Sequence, residues 1–176
     1  MKKRMIVTLT ANELIFASLL ANERNAKKRS TNRRFSTRQD YTIHLYGVIS
    51  ELAFAKLIGI YPDTAFKYGD DGVDFLIHGK SIDIKCRMNE RDGDLLINVG
   101  SKISDIYVKA YVFPEDIRKV EFQGIATKKM ILESQIINLG YGDRHSIGLD
   151  RLIPIDRLIT RIKTKNESNQ IAAAQN

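Results

Sequence analysis

The chain has 176 residues, 28 of them Lys or Arg and 21 Asp or Glu, giving a formal charge of +7 with histidine neutral. An apolar content of 43% excludes a disordered chain, and the single cysteine, Cys86, excludes an internal disulfide and a cysteine-built zinc site. The longest apolar run, Leu14–Ala21, is far shorter than the roughly 20 residues of a membrane span, and no small-residue cleavage site follows it. The expected setting is therefore reducing and intracellular, that is cytoplasmic, with neither membrane nor zinc as partner.

The charge is unevenly placed. Residues 1–40 hold ten basic residues against three acidic ones, which is the whole excess, whereas residues 41–176 carry 18 of each sign. This divides the chain into a basic N-terminal helix and arm over 1–40, a core domain over 41–162 and a flexible tail over 163–176. Thr10 and Glu13 form a capping box ahead of a helix over 11–29, whose last turn is basic. Residues 30–40 are polar, basic and without periodicity, so a loop is expected. A second helix fits 41–58, with Leu45, Val48, Ile49, Leu52 and Leu57 on its apolar side and Gly59 as its stop.

Beyond Pro62 the period becomes strand-like. Short β-branched and aromatic runs at 73–77, 81–87, 95–99, 106–113 and 120–126 read as strands, the first two joined by a hairpin at His78-Gly79-Lys80. A short helix is expected over 127–134 and another over 155–162, with a frayed tail from Lys163. The order of elements predicts an α/β (α+β) fold, a mixed sheet with helices beside it.

The strand over 81–87 carries the most chemistry. Alternation sends Ile82, Ile84 and Cys86 to one face and Asp83, Lys85 and Arg87 to the other, successive members about 6.5 Å apart. Asp74 stands across the expected hairpin, after the turn Gly69-Asp70-Asp71-Gly72, and Glu51 interrupts a nearly uncharged stretch of the second helix. Converging carboxylates suit a hard divalent cation such as Mg²⁺, which polarises a phosphoryl oxygen and acidifies a bound water. A neighbouring lysine orients that water or stabilises charge on phosphorus. The plainer alternative is a surface Asp–Lys pair on a half-exposed strand.

Taken together, Gly47-x-x-x-Glu51, Gly72-Val73-Asp74 and Ile82-Asp83-Ile84-Lys85 resemble the PD-(D/E)xK nuclease superfamily, with its restriction-endonuclease-like fold and its small Holliday-junction-resolvase-like, phage and restriction members. Ser104–Val108 looks like the next core strand of that family, and Leu152-Ile153-Pro154-Ile155 resembles a segment common near the C-terminus of small members. Val73 stands where the family's name has proline. The resemblance implies a mixed sheet flanked by helices, Asp74 and Asp83 as ligands of Mg²⁺ (Mn²⁺ as substitute), Glu51 as a further ligand or water-positioning acid, and Lys85 as catalytic lysine. It implies endonuclease action on DNA, double-stranded or branched, by a homodimer. The competing reading is a non-catalytic DNA-binding or protein-interaction module that keeps the fold.

Lys27, Lys28, Arg29, Arg33, Arg34 and Arg38 form the densest basic cluster and would hold phosphates through salt-sensitive, sequence-independent contacts. Phe35 within it would stack on a base or anchor the loop. Arg87 would touch phosphate or pair with Glu90 or Asp92. His44, two helical turns before Glu51, would assist the site or be structural, and Lys102 and Lys109 would line the DNA path.

Overall fold

The computed structural model describes residues 4–30, 38–60, 73–87, 90–140 and 142–174, without the side chains of 27–30, 38–40 and 167–174. The chain forms strand β1 (Met5–Thr8), helices α1 (Ala11–Ser30) and α2 (Arg38–Ile58), strands β2 (Phe75–Ile77), β3 (Lys80–Cys86), β4 (Leu95–Asn98), β5 (Ile106–Val112) and β6 (Lys119–Thr127), helix α3 (Lys128–Leu132), strands β7 (Gln135–Asn138) and β8 (Asp143–Ile147), and helix α4 (Ile155–Ala174). Five strands make a mixed sheet in the order β1-β6-β5-β3-β2, in which only β3 and β5 run parallel. A second, antiparallel sheet has the order β4-β8-β7.

The larger core covers one face of the five-stranded sheet. Ile82 and Ile84 of β3, Val108 and Val112 of β5 and Phe122 of β6 pack there against Ile49, Ala53 and Phe54 of α2, Ala17 and Ala21 of α1 and Leu158 and Ile162 of α4. A smaller core, including Tyr107, Ala126, Leu95, Ile97 and Ile147, lies against the opposite face and involves the second sheet. The mixed α/β architecture with a sheet flanked by helices agrees with the expected class.

The expected capping box is present: Thr10 N–H donates to Glu13 Oε2 at 2.6 Å, and Glu13 N–H donates to Thr10 Oγ1 at 3.2 Å. Lys56 then ties the start of α1 to the end of α2, donating to Glu13 Oε2 at 2.8 Å and to Thr8 O at 3.1 Å. The N-terminal segment thus joins the sheet through β1 and contributes α1 side chains to the main core.

Several boundaries differ from the sequence reading. Helix α2 begins at Arg38, inside the stretch read as loop, and the rest of that loop, 31–37, lies outside the described residues. Helix α4 continues through the segment expected to fray, as far as Ala174; the alanines, lysines, glutamine and glutamate in that stretch of sequence are good helix formers. Strands β1, β7 and β8, of four or five residues each, are not among the runs read as strands from the sequence. Their existence depends on partners elsewhere in the chain: β6 for β1, and β4 for β8.

Gly124 illustrates such a tertiary requirement. Its φ is +150°, and a Cβ there would come within 2.8 Å of Leu152 Cβ and 2.9 Å of Ile153 O. Ile153 exchanges both backbone hydrogen bonds with Ile125, at 2.8 and 2.9 Å, so the Leu152-Ile153 segment lies against β6 and leaves no room for a side chain.

Candidate active site

The expected β2–β3 hairpin is present, but its connection is two residues, His78-Gly79, because Lys80 already pairs with Ile77; both turn residues have positive φ as a type I′ turn requires. Phe75 pairs with Ile82, so Asp74, one residue before β2, comes to the end of the ladder beside Asp83. Asp74 N–H donates to Ile82 O at 3.0 Å and its Oδ2 accepts from Ile84 N–H at 2.6 Å. This side chain thereby closes the open end of the hairpin and is held in the plane where the two strands part.

Alternation along β3 is as the sequence predicts. Ile82 and Ile84 enter the main core, whereas Lys85 Nζ lies 6.0 Å from the ring centroid of Tyr107, its neighbour's residue on the opposite face. Lys85 Nζ is 2.7 Å from Asp83 Oδ2; Asp83 is 4% exposed. Burial disfavours the Lys85 ammonium, but the Asp83 charge and hydrogen bond, with help from Asp74, outweigh it and hold Lys85 above the ordinary lysine value. Lys85 is accordingly a cation at neutral pH.

Asp74 behaves oppositely. Burial, then the charges of Glu51 and Asp83, push its carboxyl up to about 8, against the lowering effects of the Ile84 hydrogen bond and Lys85. Glu51 on α2 is gripped by Arg24 of α1, whose two guanidinium nitrogens lie 2.8 and 2.7 Å from its two oxygens. Such forked, partly buried pairs are among the stronger surface ion pairs. Three acids, Glu51, Asp74 and Asp83, therefore face two cations, Arg24 and Lys85. Electroneutrality is reached by leaving a proton on Asp74.

That balance bears on a divalent metal. The donors are hard oxygens, with no imidazole or thiolate among the four sequence-predicted residues, which suits Mg²⁺ or Mn²⁺ rather than zinc. Cys86 faces the helices, and burial raises its thiol's pKa. Among the described residues no three acids, histidines or cysteines already stand as a ligand cluster. Each candidate ligand instead has a partner inside the chain: Arg24 for Glu51, Lys85 for Asp83 and the Ile84 amide for Asp74. A metal would have to take the place of Arg24 and of the Asp74 proton.

The remaining predicted residues are distributed differently. Arg87 is paired with Glu90 at 2.5 Å, the ion-pair alternative of the two that its sequence context offers, while Asp92 pairs with Arg4 at 3.2 Å. Lys109 is 1% exposed, so the expectation that it lines a DNA path is corrected: it donates to Gln123 Oε1 at 2.5 Å and Arg91 O at 3.2 Å. Burial, then the Arg87 charge, brings its pKa down to about 8. The β-bulge between Lys109 and Ala110, opposite the Phe122–Gly124 segment, supports this placement. Lys27, Lys28, Arg29 and Arg38 sit at the facing ends of α1 and α2, their side chains outside the described residues. Arg33, Arg34, Phe35 and the Gly69–Gly72 turn also lie outside them.

Sequence reasoning missed two features. By sequence Arg24 is one of the ten basic residues of the first 40, and nothing in one dimension pairs it with Glu51, 27 residues away. Glu121 is likewise buried within a network, its carboxylate held by Arg91 at 3.0 and 2.9 Å and by Gln123 at 3.0 Å. An acid within an otherwise apolar strand was the available signal.

No helix among the described residues is long and apolar enough to cross a membrane. Comparison of the chain with protein-family models, with characterised proteins and with solved structures finds no match.

Proposed function

We propose that the chain is a metal-dependent nuclease of PD-(D/E)xK type that hydrolyses DNA phosphodiester bonds as an endodeoxyribonuclease. The observation that carries this reading is a buried carboxyl, Asp74, kept protonated near neutral pH by the charges of Glu51 and Asp83, next to a lysine that stays cationic. Acids perturbed by burial and by one another, gathered at one place, are a mark of functional sites, and a metal would bind them in competition with that proton. Asp74 and Asp83 would hold Mg²⁺ or Mn²⁺, with Glu51 joining once Arg24 lets go. When bound, such an ion supplies a Lewis acid and an acidified water.

The chain's own residues have separate tasks. Asp74 gives up its proton as the ion arrives, so loading is favoured by rising pH. Lys85, fixed by Asp83, places a positive charge where the phosphoryl oxygens gain negative charge, stabilising the pentacovalent arrangement. Tyr107, under the Lys85 ammonium, limits where that side chain can swing. The basic segment, Lys27–Arg29, Arg33, Arg34 and Arg38, would grip phosphates away from the acidic site. Cutting both strands would employ a homodimer.

The second reading, a non-catalytic DNA-binding or interaction module, is favoured by one observation: every candidate ligand already has an internal partner. Supercoiled, linear and branched DNA incubated with Mg²⁺ or EDTA separates the two. Cleavage should require metal and disappear in Lys85→Ala. Cleavage that persists in EDTA or in that variant refutes the mechanism, and a wild-type protein that binds but cuts none of the substrates establishes the module.

A further inference from the structure

A cavity of about 280 Å³ lies between the β2–β3 turn, the start of β5, the β6–α3 junction and α4, and none of Glu51, Asp74, Asp83 or Lys85 lines it. Its floor is aliphatic: Ile77, Ile82, Ile106, Leu158 and Ile162. Its rim is cationic, formed by Lys80, Lys128, Lys129, Arg161 and Lys165. Asp105 is the one acid lining it, and its carboxylate is already engaged by Lys80 at 3.3 Å and by Ser81 N–H at 3.0 Å. Lys128, Arg161 and Lys165 are exposed and have no carboxylate partner among the described residues.

His78 adds an independent sign of incompleteness. It lines the cavity, and its Nε2 is buried without a hydrogen-bond partner among the described residues. A buried polar atom left unpaired costs free energy, so natural chains rarely leave one without reason. The same residue holds φ at +49°, which the two-residue turn requires and which fixes where its imidazole lies.

We infer that this cavity binds a small amphipathic anion, a compact apolar body carrying a carboxylate, sulfonate or phosphate group. The body would lie on the Ile82–Ile106–Leu158–Ile162 floor, and the acidic group would sit among Arg161, Lys165 and Lys128. The imidazole of His78 offers a hydrogen bond to a polar atom between the two. An apolar cavity with a few convergent polar groups is the usual form of a small-molecule site, and its volume is close to the lower end of that class, about 300 Å³. A cationic ligand would be repelled by the rim, and a bare anion would leave the aliphatic floor wet. The inference does not depend on nuclease activity: Ile82 lines this cavity, whereas Asp83, the next residue, points to the other face of the sheet.

The full chain titrated with the fluorescent anion 8-anilinonaphthalene-1-sulfonate should show one saturable site. Decanoate should displace the dye at concentrations at least tenfold below those needed with decyltrimethylammonium or inorganic phosphate. The exposed charge reversal Arg161→Glu/Lys165→Glu should weaken binding tenfold or more with the circular dichroism unchanged, and Lys85→Ala should leave it unaltered. Absence of a saturable site, indifference to the charge reversal, or equal displacement by the cation or by phosphate would each overturn the assignment. Loss of binding on Ile15→Ser/Leu19→Ser would also overturn it, by placing the dye on the exposed apolar residues of α1.

Discussion

Replacing Asp74 by Asn removes a titrating group while preserving its shape and an oxygen for the Ile84 amide. In the wild type the carboxyl is held at about 8 by burial and by Glu51 and Asp83, against about 3.9 in an unfolded chain. Between those values the folded protein keeps a proton that the unfolded chain has released. The contribution is therefore fully present below the unfolded value and is lost as pH rises towards the folded one. Each pH unit in that window is worth about 1.4 kcal/mol for one proton, so the advantage of wild type over Asp74→Asn should fall by about 3 kcal/mol from pH 5 to pH 7. Groups that do not interact with Asp74 cancel in the difference, whereas Glu51, Asp83 and Lys85 are coupled to it and are part of the effect. Urea midpoints of the two proteins measured from pH 5 to pH 9 test this directly, repeated with 10 mM-scale Mg²⁺ (on the order of ordinary assay conditions). Added Mg²⁺ should restore stability to the wild type above pH 7 and do little for the variant. Parallel pH curves, or equal stabilisation by Mg²⁺, would refute both the trapped proton and the metal that replaces it.

Removing the guanidinium that holds Glu51, as in Arg24→Ala, should cost about 1–2 kcal/mol, since the pair is partly exposed, and should tighten Mg²⁺ binding measured calorimetrically; weaker binding would show that Glu51 is not a ligand. Gly124→Ala forces a Cβ against Leu152 and Ile153 O at an unfavourable φ and should lower stability by more than about 2 kcal/mol in thermal unfolding, an unchanged melting temperature being the contrary result. Replacing Lys27, Lys28, Arg33 and Arg34 by Ala should weaken DNA binding and flatten its dependence on salt concentration, because fewer counterions are released; an unaltered slope would take these residues out of the interface.

Much of this protein is visible in local pattern. The Thr10–Glu13 capping box, the α2 face through Val48, Ile49 and Leu52, and the alternation of β3 each depend on interactions within a few residues, so periodicity reveals them. The same alternation separates Ile82 and Ile84 from Asp83 and Lys85, and the short hairpin sets Asp74 beside that row. Tertiary structure alone decided the rest. Strands β1, β7 and β8 are defined by the strands that pair with them rather than by a run of strand-forming residues. Lys109 becomes a buried donor to Gln123 only because β6 bulges beside it. Arg24 reaches Glu51 only when α1 packs on α2, and it is that contact, with the proton on Asp74, that neutralises the acid cluster. Residue spacing can bring acids to one end of a hairpin, but the dielectric around them and the cations that face them come from distant parts of the chain. The overall charge follows the same division: the sequence by itself places the whole +7 in the first 40 residues. Only the fold shows one of those cations, Arg24, spent inside the molecule on the very acid that a metal would need.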